Sequence, residues 1–368
     1  MLAYIARRLL LMIPTLFGIM VLNFAVIQAA PGGPVEQTLA KLKGTGIDAT
    51  ARITGTGQEL QGQSQGGTGE GGSSSTYRGA RGLDPAFIKQ LEKQYGFDKP
   101  WYQRFGLMIK SYLTFDFGKS WFKGRSVVDL IIEKIPVSIS LGLWATLLVY
   151  GISIPLGVRK AVADGTQFDL WTSAAIVVGT AIPGFLFAIL LIVLFAGGTY
   201  FSWFPLRGLT SDNWAQLSWS GKSVDYIWHM ILPVVSMTVG GFAGLTMLTK
   251  NSFLDQINLQ YVVTARSKGL TETRILYGHV FRNAMLIVIS GFPGAFIGIL
   301  FTGALLTEII FSLDGLGLLG YEAVINRDYP IVFATLYIYT LIGLVTQLIG
   351  DVTYMLVDPR IDFEARET

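Results

Sequence analysis

Six long apolar segments constrain the fold of this chain more than any other feature of its sequence. They cover residues 9–29, 137–158, 170–196, 230–249, 284–311 and 331–357. Each has at least about the 20 residues that a helix needs to cross a hydrocarbon layer of about 30 Å. Only 14% of the residues are charged, against roughly a quarter in soluble proteins, and the mean hydropathy is +0.50. The sequence therefore predicts an all-α integral membrane protein with six transmembrane helices.

The basic residues predict how these helices are oriented. With the N-terminus inside, the short outer loops hold only Arg207, Lys222 and Arg327. The inner segments hold a larger set, namely Arg7, Arg8, Arg159, Lys160, Lys250, Arg266, Lys268, Arg274, Arg282, Arg360 and Arg366. Because positive charges are enriched in short cytoplasmic loops, both termini are predicted to be cytoplasmic. Residues 1–30 are predicted to form a retained N-terminal transmembrane helix, since the apolar stretch is longer than the roughly 7–15 residues of a signal-peptide core.

The first two helices are separated by a large outer loop, residues 31–136. Ten of the 33 residues from 44 to 76 are glycine and none is aromatic, which predicts a flexible insert that cannot bury enough apolar area to order itself. A helix is predicted to begin after Asp84, with Pro85 at its first position. The aromatic residues that follow suit either the headgroup zone or the core of a small outer cap; they are Trp101, Tyr102, Phe105, Tyr112 and Trp121. Residues 137–357 are predicted to form a five-helix core, followed by a cytoplasmic tail, residues 358–368.

Several classes of function are excluded by missing motifs. Two stretches ending Gly-Lys-Ser, at residues 118–120 and 221–223, lack the glycine five positions earlier that a phosphate-binding loop needs. His229 and His279 are too few and too far apart for a metal site, and no nucleophile and base pattern is present. The chain has no cysteine, and its net charge of +3 does not indicate a nucleic-acid partner. The sequence therefore predicts a non-catalytic chain that binds no cofactor or metal.

Residues 261–283, YVVTARSKGLTETRILYGHVFRN, form a polar and basic stretch between two apolar segments. We call it the basic segment. Gly269 can take the left-handed conformation that ends a helix at Lys268, and Thr271 can cap a second helix whose first residue is Glu272. The pattern predicts two short helices at the membrane surface. Arg266, Lys268 and Arg282 would offer charge-assisted contacts to a partner.

The sequence Ala265-Arg266-x-Lys268-Gly269, followed by His279 and Arg282, resembles the coupling loop of ABC importer permeases of the dipeptide and oligopeptide branch. Gln260 and Val263 depart from the wider family, which has acidic residues there. The resemblance places the loop within residues 250–283 and implies ATPase-coupling roles for Tyr261, Ala265, Arg266, Lys268, Gly269, His279, Arg282 and Asn283. Further matching stretches are APGGP at residues 30–34, YGFDKP at 95–100, DFGKS at 116–120, PVSISLGL at 136–143, FPLRG at 204–208, HMILPV at 229–234, FSLDGLGLL at 311–319, RDYPIV at 327–332 and VDPRID at 357–362.

This resemblance implies a type I ABC importer permease fold in a bacterial inner membrane. It implies a second homologous permease, two cytoplasmic ATPase domains that bind ATP and Mg, a periplasmic binding protein and a peptide substrate moved by alternating access. The glycine-rich insert and ARGLDP at residues 80–85 are most similar to one group of peptide permeases, whose importer also admits peptide-nucleotide antibiotics. Importers of dipeptides, nickel or glutathione remain the alternative within the family. A stand-alone secondary transporter would share the six spans but should show inverted hydropathy repeats or an ion-coupling carboxylate cluster, and neither is clear in the sequence.

Polar residues and prolines inside the spans are candidates for the translocation path. They are Thr180, Pro183, Ser236, Thr238, Ser290 and Pro293, which could equally mediate helix packing. Glu308 and Asp351 are the acidic residues within the spans, and both lie toward helix ends. Snorkelling to the membrane surface or hydrogen bonding between helices is favoured for these two over direct contact with substrate.

Overall fold

The computed structural model describes residues 2–29, 98–198, 200–302 and 305–357. Within those ranges the regular structure is helical, apart from one isolated antiparallel bridge between Lys119 and Ser126. The predicted glycine-rich insert at residues 44–76, the helix predicted after Asp84 and the tail at residues 358–368 lie outside the described residues.

Twelve α-helices are named here in chain order through the described ranges. They are α1 (Leu2–Ala29), α2 (Trp101–Leu113), α3 (Val127–Val162), α4 (Gln167–Ala181), α5 (Gly184–Phe195), α6 (Trp219–Ile257), α7 (Gln260–Ser267), α8 (Glu272–Ile275), α9 (Phe281–Thr302), α10 (Leu305–Ile310), α11 (Leu316–Ile325) and α12 (Tyr329–Val357). A short 3₁₀ turn, Trp214–Gln216, precedes α6, and a π-helical turn, Leu276–Val280, joins α8 to α9.

The predicted membrane spans are present, and one of them is bent. Among the described residues, five helices are long and apolar enough to cross a membrane, and the pair α4 and α5 makes a sixth crossing if counted as one span. The predicted continuous helix over residues 170–196 is wrong, because the chain turns by 90° between α4 and α5. Pro183 disfavours a helical conformation at Ile182, which is extended at φ −87° and ψ 117°. The helix resumes at Gly184.

Other span boundaries also shift. The predicted span 137–158 lies within the longer α3, which begins at Val127 and contains Pro136 and Pro155. The predicted span 284–311 is divided between α9 and the short α10. Pro155, Pro233 and Pro293 lie inside helices.

The described chain divides into two compact units. The first comprises Met1–Leu11, Lys134–Leu318 and Leu341–Thr368. One of its cores joins α3, α5 and α6 to the end of α10, with Leu141, Ala188, Met230 and Phe311 all buried. A second core, which supports the basic segment, is described below with that segment.

Helices α3 and α6 approach each other closely where one of them carries a glycine. A Cβ atom built on Gly157 would lie 2.6 Å from Thr249 Cβ, and one built on Gly241 would lie 2.9 Å from Val149 Cγ2. Gly240 and Gly244, which have the spacing of a helix-packing motif, have nothing within 4 Å of such an atom. Close packing therefore depends on Gly157 and Gly241.

Glu308 and Asp351 make hydrogen bonds between helices, as predicted. Glu308 is fully buried; its carboxylate accepts from Ser138 Oγ at 3.2 Å and from the Leu318 amide at 2.7 Å. It thereby satisfies a backbone donor at the start of α11. Asp351 accepts from Tyr4 Oη at 2.9 Å and pairs with Arg8 Nη2 at 3.1 Å, which joins α12 to α1.

The second unit, Met12–Glu133 and Leu319–Thr340, has an aromatic core. Tyr112 is buried, with ring centroids 5.0 Å from Phe117 and 5.2 Å from Tyr337. Trp101 and Tyr102, by contrast, are 63% and 58% exposed. The aromatic residues therefore divide between the two roles that the sequence left open. Tyr112 lies in a core, whereas Trp101 and Tyr102 are exposed, as residues in a headgroup zone would be.

Asp328 holds two of the family-like stretches together within this unit. It is buried and accepts hydrogen bonds from Ser120 Oγ, from the Trp121 amide at 3.1 Å and from the Phe122 amide at 3.2 Å. Ser120 belongs to the DFGKS stretch and Asp328 to RDYPIV. The two stretches therefore have a structural role at this point of the fold.

Substitution of Gly157 tests the contact between α3 and α6. We predict that Gly157→Leu lowers the stability of the detergent-solubilised protein by about 1–3 kcal/mol or more, because the added side chain has no space against Thr246 and Thr249. Gly151→Leu, on the same helix with nothing within 4 Å, is the matched control and should change stability little. Thermal unfolding followed by circular dichroism measures both. Equal effects of the two variants would contradict the proposed packing.

Candidate functional site

The first helix of the basic segment ends where the sequence predicts. Gly269 has φ +78°, in the left-handed region. The Leu270 amide donates to the Ala265 carbonyl at 3.3 Å and the Gly269 amide donates to the Arg266 carbonyl at 2.9 Å. These two bonds form a Schellman motif, which satisfies carbonyls at the end of α7. No heavy atom lies within 4 Å of a Cβ built on Gly269, so the requirement for glycine is conformational.

The second helix begins at Glu272, as predicted, but it differs from the prediction in two respects. Thr271 occupies the N-cap position without forming a side-chain cap bond. In addition, α8 does not end as a separate short helix, because the π-helical turn leads from Ile275 directly into α9. The segment is therefore anchored to the membrane helices at both ends, by α6 before it and by α9 after it.

One face of the basic segment packs against the ends of α3, α6 and α9. Its buried residues are Val262, Ala265, Ile275 and Val280. The residues that receive them are Val158, Ala161, Phe253, Ala284, Met285 and Val288. Ser252 Oγ also donates to the Ala284 carbonyl at 2.6 Å, which joins α6 to α9 beside this core. Because helices this short are marginal in isolation, the buried face is what holds α7 and α8 in place.

The opposite face combines positive charge with apolar side chains. Arg266, Lys268, His279 and Arg282 are exposed. Two large apolar residues of the segment are also exposed, Val263 at 56% and Tyr277 at 60%. We call this set the outer face of the basic segment.

Arg266 is oriented by a neighbour within the segment. Its Nε and Nη2 atoms donate to the two carboxylate oxygens of Glu272 at 2.7 and 3.0 Å. This bidentate hydrogen bond raises the pKa of Arg266, so the guanidinium stays charged. The pair bridges α7 and the start of α8 across the turn at Gly269.

The eight residues assigned to coupling therefore differ in position. Ala265 is buried in the supporting core, and Tyr261 and Asn283 are half-buried. Tyr261 Oη donates to Gln256 Oε1 at 3.1 Å, which connects α7 to the end of α6. The side chains of Arg266, Lys268, His279 and Arg282 reach solvent, and Gly269 shapes the turn between the helices.

The sequence analysis missed a buried ionic network next to this core. Lys160 in α3, Asp169 in α4 and Lys250 in α6 pair at 2.8 Å and 2.7 Å through the two carboxylate oxygens of Asp169. In the sequence, Lys160 and Lys250 were used only as positive charges that predict the orientation of the helices in the membrane. A signal was available, because lysines at the ends of apolar spans need partners, and Asp164 in the turn after α3 and Asp169 in the first turn of α4 follow Lys160 closely.

The six path candidates fall into three groups. Ser236 and Thr238 are buried in α6 and donate to carbonyls of their own helix, at Pro233 and Val235. Thr180 is exposed and bonds within α4, and Pro183 is exposed at the bend before α5. Ser290 and Pro293 line a cavity of about 380 Å³ between α9 and α12, together with Gly294, Gly343, Thr346, Gln347, Gly350 and Asp351. Through the described ranges, no three His, Asp or Glu side chains group at a metal site.

Substitution of Gly269 tests the turn within the basic segment. We predict that Gly269→Val speeds amide hydrogen exchange across residues 260–275 by about 5–30-fold, because the left-handed conformation costs a residue with a β-carbon about 1–2 kcal/mol. Gly269→Asn is the control at the same position, and a smaller change is expected because asparagine tolerates this conformation. Amide hydrogen exchange of both purified variants, measured by mass spectrometry, tests this prediction. Unchanged protection in Gly269→Val would show that the turn does not hold the segment.

Curated relatives match this chain over nearly its whole length. It is 62% identical over 365 residues to the peptidoglycan transport system permease protein YejB of Agrobacterium fabrum, covering 99% of each chain. It is 58% identical to the inner membrane ABC transporter permease protein YejB of Escherichia coli O157:H7, covering 99% of this chain and 100% of that one. It is 32% identical to the oligopeptide transport system permease protein AppB of Bacillus subtilis, with the same coverage.

A family model gives the same result over the core of the chain. Residues 153–363 match the model described as binding-protein-dependent transport system inner membrane component. This range contains the basic segment with its Ala265-Arg266-x-Lys268-Gly269 sequence, His279 and Arg282, and the core that supports it. The chain belongs to the family of inner membrane permease components of binding-protein-dependent transport systems.

Proposed function

We propose that this chain is the permease subunit of an ABC importer that moves peptides into the cytoplasm. The outer face of the basic segment carries this proposal, because it presents charges and apolar side chains on a base fixed by packing. The chain lacks a phosphate-binding loop, so energy from ATP must come from another subunit. On this account the outer face is the surface that receives the ATPase.

The partner subunits that we propose are those that the family resemblance implies. ATP binding closes two cytoplasmic ATPase domains, which carry the ATP and Mg, and so draws the basic segment of this chain toward that of a second, homologous permease. A periplasmic binding protein delivers the substrate from the other side. This orientation puts both termini in the cytoplasm, in agreement with the bias of basic residues in the short loops.

Peptides are the substrate class that the relatives support best. The relative with 62% identity is named a peptidoglycan transport permease, and the one with 32% identity an oligopeptide transport permease. Both kinds of substrate contain peptide bonds, so we assign to this chain short peptides, including those attached to fragments of peptidoglycan. Dipeptide, nickel and glutathione importers are the competing assignments, and the uptake experiment below separates a nickel importer from a peptide importer.

The cavity between α9 and α12 is our candidate for this subunit's share of the translocation path. It offers the Ser290 and Thr346 hydroxyls and the Gln347 amide beside glycines that leave space. Such groups can exchange hydrogen bonds with a peptide main chain. Ser236 and Thr238 are less suited, because both are buried in α6 and neither lines this cavity.

The function is tested by uptake and by purification. We expect that deleting the gene abolishes uptake of a labelled tripeptide and of a peptide-bearing peptidoglycan fragment, and that restoring it recovers both, with nickel uptake unchanged. The chain purified in mild detergent should carry a second permease and ATPase subunits with vanadate-sensitive ATP hydrolysis. Loss of nickel uptake alone would move the assignment to a metal importer. A solitary chain inert toward ATP, even after cross-linking, would favour a secondary transporter.

Filling the cavity tests the path. We predict that Gly294→Leu lowers peptide uptake several-fold at normal expression, because Gly294 lines the cavity and a Cβ atom added there has nothing within 4 Å. Gly291→Leu is the matched control on the same helix, because an added Cβ atom also has nothing within 4 Å and the residue does not line the cavity. Initial uptake rates measure both. Equal rates for the two variants would remove this cavity from the path.

A further inference from the structure

The buried network formed by Lys160, Asp169 and Lys250 joins three helices next to the basic segment. Asp169 lies in the first turn of α4, Lys160 near the end of α3 and Lys250 near the end of α6. Their three side chains are at most 11% exposed. Charges are rarely buried in this way unless they are paired and hydrogen-bonded.

The ammonium group of Lys160 uses all of its hydrogen-bond donors. It is completely buried and pairs with Asp169 Oδ1 at 2.8 Å. Its ammonium also donates to the Asp169 carbonyl at 2.9 Å, to Thr172 Oγ1 at 2.9 Å and to Ser173 Oγ at 2.7 Å. All of these acceptors belong to α4, so Lys160 fixes the first turns of α4 to α3.

Lys250 extends the network to α6. Its ammonium pairs with Asp169 Oδ2 at 2.7 Å and with Asp164 Oδ1 at 2.7 Å. Asp164 lies in the turn between α3 and α4 and is 52% exposed. Asp169 also accepts from the Gly165 amide at 3.3 Å, which holds that turn in place.

The end of α6 is also where the basic segment begins. Only Asn258 and Leu259 separate α6 from α7. Phe253, one helical turn from Lys250, is fully buried in the core that supports the basic segment. A displacement of α7 therefore moves the C-terminal part of α6, which contains Lys250. The pairing of Lys250 with Asp169 is a polar connection from this part of α6 to α4.

We propose that Lys250 and Asp169 are positioning residues that transmit the displacement of the basic segment into the bent span formed by α4 and α5. The inference rests on the proposed function, since it assumes an ATPase that moves the segment. Buried salt bridges that are supported by several hydrogen bonds have few alternative arrangements. When the C-terminal end of α6 moves, the first turn of α4 therefore moves with it. The bend at Pro183 is the place where this movement can alter the angle between the halves of the span.

The test measures coupling in the assembled importer, reconstituted in vesicles with its binding protein. Lys250→Met should lower the number of peptides taken up per ATP hydrolysed by about tenfold while subunit assembly and basal ATP hydrolysis stay near normal. Lys250→Arg, which keeps the charge, should restore most of the ratio. Asp164→Asn removes only the exposed partner of Lys250 and should change it little. Glu133→Gln, at an exposed ion pair with Arg125, is the control outside the network.

A second measurement reports movement directly. The chain has no cysteine, so Gln167→Cys, at the exposed first position of α4, places one thiol on that helix. With a non-hydrolysable ATP analogue, its rate of maleimide labelling should change in the otherwise unaltered importer. Adding Lys250→Met should remove that change.

The outcomes distinguish failure of the proposed function from failure of the positioning role of Lys250 and Asp169. If the unaltered importer neither transports peptide nor hydrolyses ATP in response to loaded binding protein, the proposed function fails. If it does both and Lys250→Met leaves uptake per ATP and the labelling change intact, the positioning role fails. A parallel loss of assembly, ATP hydrolysis and uptake in Lys250→Met would make the network purely structural and would also overturn the proposal.

Discussion

The structure of the basic segment depends on the packing of its apolar face against the ends of three membrane helices. Val262, Ala265 and Ile275 are buried there, while helices of this length have little stability of their own. The same packing gives the segment its second property, an outer face on which charge and apolar surface are held in one orientation. A surface that moves with the bundle beneath it can convert a push from a partner into displacement of the membrane helices.

The membrane imposes the complementary constraint, because polar groups removed from water must find partners within the protein. Glu308 meets it by accepting from a hydroxyl and a backbone amide, and Lys160 by donating three hydrogen bonds to α4 and pairing with the Asp169 carboxylate. Each arrangement fixes one element relative to another. In a helical protein with few buried charges, these contacts determine which helices move together.

Local chemistry explains which features could be predicted from the sequence. Gly269 and Glu272 marked the ends of the two short helices because glycine conformation and helix starts depend on neighbouring residues. The break at Pro183 was missed because hydropathy continues across it, although the proline itself was visible. The ionic network had only an indirect signal in the sequence, since Lys250 and Asp169 meet only after three helices have packed. Likewise, Ser290 and Ser236 look alike in sequence, and only the structure shows which of them borders a cavity.

The proposed function requires the outer face of the basic segment to receive the ATPase. Because the chain has no cysteine, a single thiol can be placed on either face of α7 and cross-linked with a thiol-to-amine reagent in native membranes. Val263 is 56% exposed, whereas its neighbour Val262 is 1% exposed. We predict that Val263→Cys cross-links to an ATPase subunit and that Val262→Cys does not. An importer that transports peptide with Val263→Cys, yet gives no such cross-link, would contradict the account.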